Sequence, residues 1–170
     1  MAKHRFHTYM DENNEELEFT VFIIHGHSEE WRNVERFIKD DLEFNAVILK
    51  ESFSGKVLFN KFRDTLWNQA DCVVAIMTPD DKLNDGSFRS RQNVIYELGY
   101  AQAMYDSYYD EDDEEEFERA IIIKERSIDF REISDLMGVE CLEYNAPNIN
   151  TTFHQLEKAL KRIYNDLKEA

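Results

Sequence analysis

Phe19-Thr20-Val21-Phe22-Ile23-Ile24, followed at once by His25-Gly26-His27-Ser28, is the stretch that decides the fold. A short, nearly continuous apolar run that stops at a glycine has the pattern of a strand buried on both faces of a parallel sheet. Ser28 is placed to cap a helix behind it, and Glu29 and Glu30 fall in the first turn, where the helix dipole favours acids. Trp31, Val34, Ile38 and Leu42 then recur at helical spacing and mark a core-facing stripe.

The same strand-then-helix pattern repeats downstream. Ala46 to Leu49 reads as a second strand, residues 51–55 as a loop, and Lys56 to Gln69 as a helix with Leu58, Phe62 and Leu66 on one face. Cys72 to Met77 is a third strand, stopped by Thr78-Pro79-Asp80-Asp81. Residues 82–89 read as a polar loop, and a helix begins at Ser90 and runs to about Tyr105. Ala120 to Ile123 and Glu140 to Glu143 supply a fourth and a fifth strand, with a short helix around Ile133 to Met137 between them. A terminal helix from Thr152 carries Phe153, Leu156, Leu160, Ile163 and Leu167 on one face, and Thr152 with Gln155 has capping-box spacing. This alternation predicts an α/β domain: a five-stranded parallel sheet with helices on both faces. Ligands of such sheets bind beyond the carboxyl ends of the strands. His25-Gly26-His27, Phe53-Ser54-Gly55 and Thr78 to Asp81 all fall there.

The 170 residues are enough for one domain over 19–170, preceded by a polar, Asn/Glu-rich arm over 1–18 that reads as flexible. The net charge of −16 is partly local, because residues 106–118 hold nine acids and no base. Without that run the chain has 27 acids against 20 bases. Neither balance suits a nucleic-acid backbone, which needs a basic face. The acidic run reads as a solvated loop insertion, with a partner-binding role as the other option. No apolar stretch is long enough to cross a membrane, and the basic, aromatic start lacks the apolar core of a secretion signal. Cys72 and Cys141 sit in apolar strand runs and are expected as buried thiols, which fits a cytoplasmic location. The five histidines show no zinc-ligand spacing, and no metal is expected.

Phosphate-loop and serine-hydrolase signatures are absent. Ser54-Gly55-Lys56 matches the end of a Walker loop, but the upstream glycine is missing and Val57 stands where Ser or Thr is needed. The informative segment is Arg89 to Tyr105. Val94, Leu98, Ala101 and Tyr105 form its buried stripe, and Glu97 falls near the same inward face. Asn93 lies one turn earlier and Arg89 one turn before that. A carboxylate in that position either faces the strand-end cleft or is neutralised by a structural ion pair with Arg89 or Arg91; spacing leaves both open. Tyr96 and Tyr100 read as packing or surface residues. His25 is a candidate ligand contact or a turn residue, Phe53 a cover for a flat ring, and Asp80 and Asp81 hydroxyl acceptors or turn residues.

Three segments together resemble a known family. Val21-Phe22-Ile23-Ile24-His25-Gly26-His27, Ala75-Ile76-Met77-Thr78-Pro79-Asp80-Asp81 and Arg89-Ser90-Arg91-Gln92-Asn93-Val94-Ile95-Tyr96-Glu97-Leu98-Gly99-Tyr100 are similar in order and distance to the bacterial TIR-like nucleotide-binding domains. Those domains are the NAD-cleaving heads of cyclic-nucleotide-activated anti-phage effectors. Ser134 to Val139 resembles the segment before that family's last strand, so the likeness spans roughly 19–145. It implies a flavodoxin-like fold and an NAD+ nucleosidase that takes NAD+ as substrate without a further cofactor. Glu97 would be catalytic; His25, Gly26, Phe53, Ser54, Asp80, Arg89, Arg91 and Asn93 would bind substrate. It also implies self-assembly into an oligomer or filament, and a sensor domain that is not expected within these residues.

Two departures are the acidic insertion and the unassigned trigger. A second resemblance, of Ala70-Asp71-Cys72-Val73-Val74-Ala75 with Glu97 to Ala101, is to nucleoside deoxyribosyltransferases, which use a covalent ribosyl-carboxylate. A TIR-like scaffold that binds nucleotide or partner without turnover is the third reading.

Overall fold

The computed structural model describes residues 18–49, 58–106, 118–128, 130, 136 and 139–169. Its elements are β1 (Thr20–His25), α1 (Trp31–Arg36), β2 (Asn45–Ile48), α2 (Leu58–Gln69), β3 (Cys72–Met77), β4 (Asp81–Lys82), β5 (Phe88–Arg89), α3 (Gln92–Asp106), β6 (Ala120–Glu125), β7 (Leu142–Tyr144) and α4 (Phe153–Glu169). Five strands form one parallel sheet in the order β2-β1-β3-β6-β7. This is the flavodoxin-like order, in which the chain builds one edge, returns to the centre and builds the other.

The alternation along each strand assigns the two faces. Phe22, Ile24, Val73, Ala75, Met77, Ala120 and Ile122 pack with Phe62 and Leu66 of α2 and Val94, Leu98, Ala101 and Tyr105 of α3. Val21, Ile23, Cys72, Val74, Ile76 and Ile123 pack on the other face with Val34 and Ile38 and with Leu156, Leu160, Ile163 and Leu167 of α4. Helices therefore cover both faces, and β1 and β3 are buried along nearly their whole length because apolar layers meet them from both sides. At the amino end of the sheet the Thr20 amide donates to Asp71 Oδ2 at 2.7 Å, and the Asp71 amide donates to the Thr20 carbonyl at 2.8 Å.

Several local expectations are corrected. Residues 82–89 are not a plain loop: Asp81–Lys82 and Phe88–Arg89 pair antiparallel around a turn in which Gly86 has φ of 88°. Strands of two residues carry no alternation to read, and Asp85 Oδ1, accepting from the Ser87 amide and hydroxyl, ties the turn locally. α3 begins at Gln92, so Ser90 precedes it and Arg89 belongs to the hairpin. Ser28 Oγ accepts from the Glu30 amide and caps the turn that leads into α1. α1 continues into a π-helical stretch, Phe37–Asp41. α4 is entered through a 3-10 turn, Ile149–Thr152, in which the Thr152 hydroxyl donates to the Ile149 carbonyl at 2.7 Å in place of a capping box with Gln155. β7 covers Leu142–Tyr144, so Cys141 lies just before it. Both cysteines are free thiols, Cys72 buried and Cys141 half-buried. The expected arm, the loop bearing Phe53 and Ser54, nearly all of the acidic run and most of the expected short helix at 133–137 lie outside the described residues. No helix among the described residues is long and apolar enough to cross a membrane.

Candidate functional site

β1 ends at His25, in register with Ile76 of β3, and the chain then turns through Gly26 and His27. α3 packs its Val94–Leu98 stripe on the sheet and so carries its first two turns past this strand end. The two elements enclose a cleft of about 260 Å³ lined by His25, Gly26, His27, Trp31, Arg91, Asn93 and Glu97 among others. Of the residues expected from sequence, His25, Gly26, Arg91, Asn93 and Glu97 therefore meet in one place.

Glu97 has the chemistry of interest. It is half-buried on the cleft side of α3, and no described residue hydrogen-bonds or ion-pairs with it. Burial pushes its carboxyl up to about 7, against the opposing pull of Arg91. The structural ion pair that spacing alone left open is not made. Arg89 instead faces Asp81 at 3.8 Å across the β4–β5 hairpin, and Arg91 Nη1 donates to His27 Nδ1 at 3.3 Å. The hairpin thus takes Arg89 off the helix edge on which spacing had placed it, and Arg89 is not among the residues lining the cleft.

Asp80 is also engaged locally. Its carboxylate accepts from the Thr78 hydroxyl at 3.0 Å and lies against Gly26, where a Cβ would stand 1.7 Å from Oδ2. Asp80 therefore braces the strand end at Gly26 and is not among the residues lining the cleft. Asp71, part of the second resemblance, lies at the opposite end of β3 from Glu97 and is engaged with Thr20.

Sequence reasoning missed Trp31 and His27. Trp31 packs partly buried against the core as the helical stripe predicts, and its ring also stacks on His25 with centroids 4.6 Å apart and an interplanar angle of 22°. Only the sharp turn at Gly26, which folds α1 back over β1, brings the two rings together; spacing along the helix carries no signal for it. Burial lowers the His25 imidazole below its usual value, while the Gly26 carbonyl, Glu29 and Asp80 pull the other way. Tyr96 and Tyr100 pack on Phe59 of α2, with centroids 5.3 and 5.2 Å away, and Tyr96 stays largely exposed. No group of three or more His, Cys, Asp or Glu side chains suited to a metal is present among the described residues.

The family model described as "CAP12/Pycsar effector protein, TIR domain" matches residues 20–146. A protein of Escherichia coli (strain K12) described as "Uncharacterized protein YuaY" is 36% identical over 87 residues, covering 47% of this chain and 28% of that protein. The chain thus matches under a third of that relative's length.

Proposed function

The chain belongs to the TIR-domain family of CAP12/Pycsar effector proteins, bacterial anti-phage effectors, and from that premise we propose that it is an NAD+ glycohydrolase with Glu97 as its catalytic carboxylate. The observation that carries the reading is Glu97 itself: a cleft-lining carboxylate with no described partner, held near neutrality by burial. An unpaired, half-buried acid is costly to keep, and such perturbed groups cluster at functional sites.

The chemistry suits a single carboxylate. The bond from ribose C1′ to the nicotinamide nitrogen breaks, and its electron pair leaves with the ring, converting a cationic pyridinium to neutral nicotinamide. Little acid catalysis is needed. Positive charge develops on the ribose, and an ionised Glu97 stabilises it and orients the attacking water. Water adds its oxygen to C1′ and releases a proton, giving ADP-ribose; attack by the substrate's own adenine would give a cyclic product instead. The cationic substrate ring also favours the ionised form of Glu97 as it binds. Arg91, resting on an exposed histidine, is free to turn to the pyrophosphate. Asn93 supplies an amide at the cleft mouth. Assembly of several copies is part of the proposal, and sets the protein concentration at which activity emerges.

The test is incubation of concentrated protein with NAD+, and separately with a deoxynucleoside plus a free base. Nicotinamide release that disappears in Glu97→Gln supports the reading. Base exchange would replace it with transferase chemistry. Binding without product in the concentrated, crowded state would leave a scaffold.

A further inference from the structure

His25 carries more information than its position in the cleft. Its ring plane is fixed by the stack on Trp31, whose own ring is covered by Arg32 at 4.5 Å. One edge of the imidazole is also engaged: Nδ1 lies 2.8 Å from the Gly26 carbonyl oxygen. A carbonyl only accepts, so Nδ1 carries the proton. Neutral imidazole has a single N–H, which leaves Nε2 as a bare acceptor lying in the ring plane. No described residue donates to it, and His25 lines the cleft that holds Glu97. The wall beside it includes Leu49, an apolar surface that suits a flat base better than a ribose. Hydroxyl acceptors stand elsewhere in the cleft, at Glu97 and Glu29.

We infer that His25 Nε2 is a specificity-determining acceptor that reads an exocyclic amino group of the dinucleotide and rejects analogues in which that group is replaced by oxygen. The inference rests on the NAD+ reading and deepens it. An amino group conjugated to a ring donates in the plane of that ring, as an sp2 lone pair requires. Replacing it by an oxo or carboxylate oxygen sets two acceptors face to face, and a site built around a hydrogen bond discriminates strongly against that change. The amino group has two sources in NAD+, the nicotinamide carboxamide and adenine N6, and the experiment separates them.

Dissociation constants are measured for NAD+, nicotinic acid adenine dinucleotide and nicotinamide hypoxanthine dinucleotide, using Glu97→Gln protein so that substrate persists. One analogue is expected to bind about tenfold more weakly or worse, and its identity names the end that His25 reads. In His25→Phe, which keeps a flat ring against Trp31, that ratio falls to about one; in His25→Gln, whose amide oxygen accepts near the Nε2 position, it returns. Equal binding of all three, or discrimination that survives His25→Phe, overturns the inference while leaving NAD+ cleavage by the unsubstituted chain intact. Absence of dinucleotide binding by folded protein overturns the NAD+ reading and this inference with it. Nitrogen NMR of the unsubstituted chain needs no variant: a bare Nε2 at neutral pH that shifts when NAD+ binds is expected, and a proton on Nε2 overturns the assignment.

Discussion

Gly26 and Asp80 occupy each other's space: a Cβ added to Gly26 would stand 1.7 Å from Asp80 Oδ2. The carboxylate of the residue after Pro79 sits where any other side chain would go, held there by the Thr78 hydroxyl at 3.0 Å. Gly26→Ala must push Asp80 off Thr78 and is expected to destabilise the protein by about 1–3 kcal/mol. In an Asp80→Ala background the same change should cost much less. A double-mutant cycle by denaturant melts, with a coupling of about 1 kcal/mol or more, checks this; additive costs would contradict it.

Glu97 makes stability depend on pH in a direction opposite to an ion-paired acid. Its folded carboxyl is raised to about 7 from an ordinary 4.5. The folded state therefore holds the proton more tightly than the unfolded chain. The stabilisation this provides is full below pH 4.5 and is lost as pH rises through 7. Glu97→Gln, uncharged at every pH, should melt higher than the unsubstituted chain at pH 8, by a few degrees on a scale of roughly 2–4 °C per kcal/mol. The gap should close toward pH 5. Thermal melts at the two pH values decide it, and a variant that is less stable at pH 8 would contradict the unpaired state of Glu97.

Glu43 has φ of 58°, a left-handed conformation just past the helical stretch that ends at Asp41. The Leu42 amide donates to the Phe37 carbonyl and the Phe44 amide to the Ile38 carbonyl, so the main chain has wound into a terminating turn that suits glycine. Glu43→Gly is expected to raise stability by about 1 kcal/mol, read as a higher midpoint in urea with an unchanged slope. An acid at a helix carboxyl end is also opposed by the dipole, so Glu43→Asn should help in the same direction.

Asp71 is buried and holds the Thr20 amide at the far end of the sheet from the cleft. Asp71→Ala leaves that buried donor unsatisfied and should cost about 1.5–3 kcal/mol. NAD+ cleavage per folded molecule should not change. A selective loss of activity with stability intact would give Asp71 a role in the reaction and favour the transferase reading.

The sheet was legible because its strands are the least ambiguous kind of sequence. Runs such as Val21 to Ile24 and Cys72 to Met77 are apolar at every position, which only burial on both faces explains, and each is followed by a stripe at helical spacing. The inward position of Glu97 followed from Val94 and Leu98 for the same reason, and its place at the strand ends followed from the topology. What stayed hidden was set by contacts between distant segments. Arg89 pairs with Asp81 because a hairpin of two-residue strands forms, and strands that short have no pattern. Trp31 lies on His25, and Arg91 on His27, because the chain folds sharply at Gly26. The space that Gly26 yields to Asp80 depends on two strand ends lying side by side, which neither segment records alone.

The most direct measurement of the central claim is the pH profile of nicotinamide release from NAD+ by concentrated protein, compared with Glu97→Gln. At NAD+ well below saturation the rate is expected to rise with pH through an apparent pKa near 7 as Glu97 of the free protein ionises. The account also predicts a loss of about 100-fold or more in the glutamine variant, whose residual rate no longer follows that titration. A Glu97→Gln protein that releases nicotinamide at the unsubstituted rate, with the same pH profile, would contradict it.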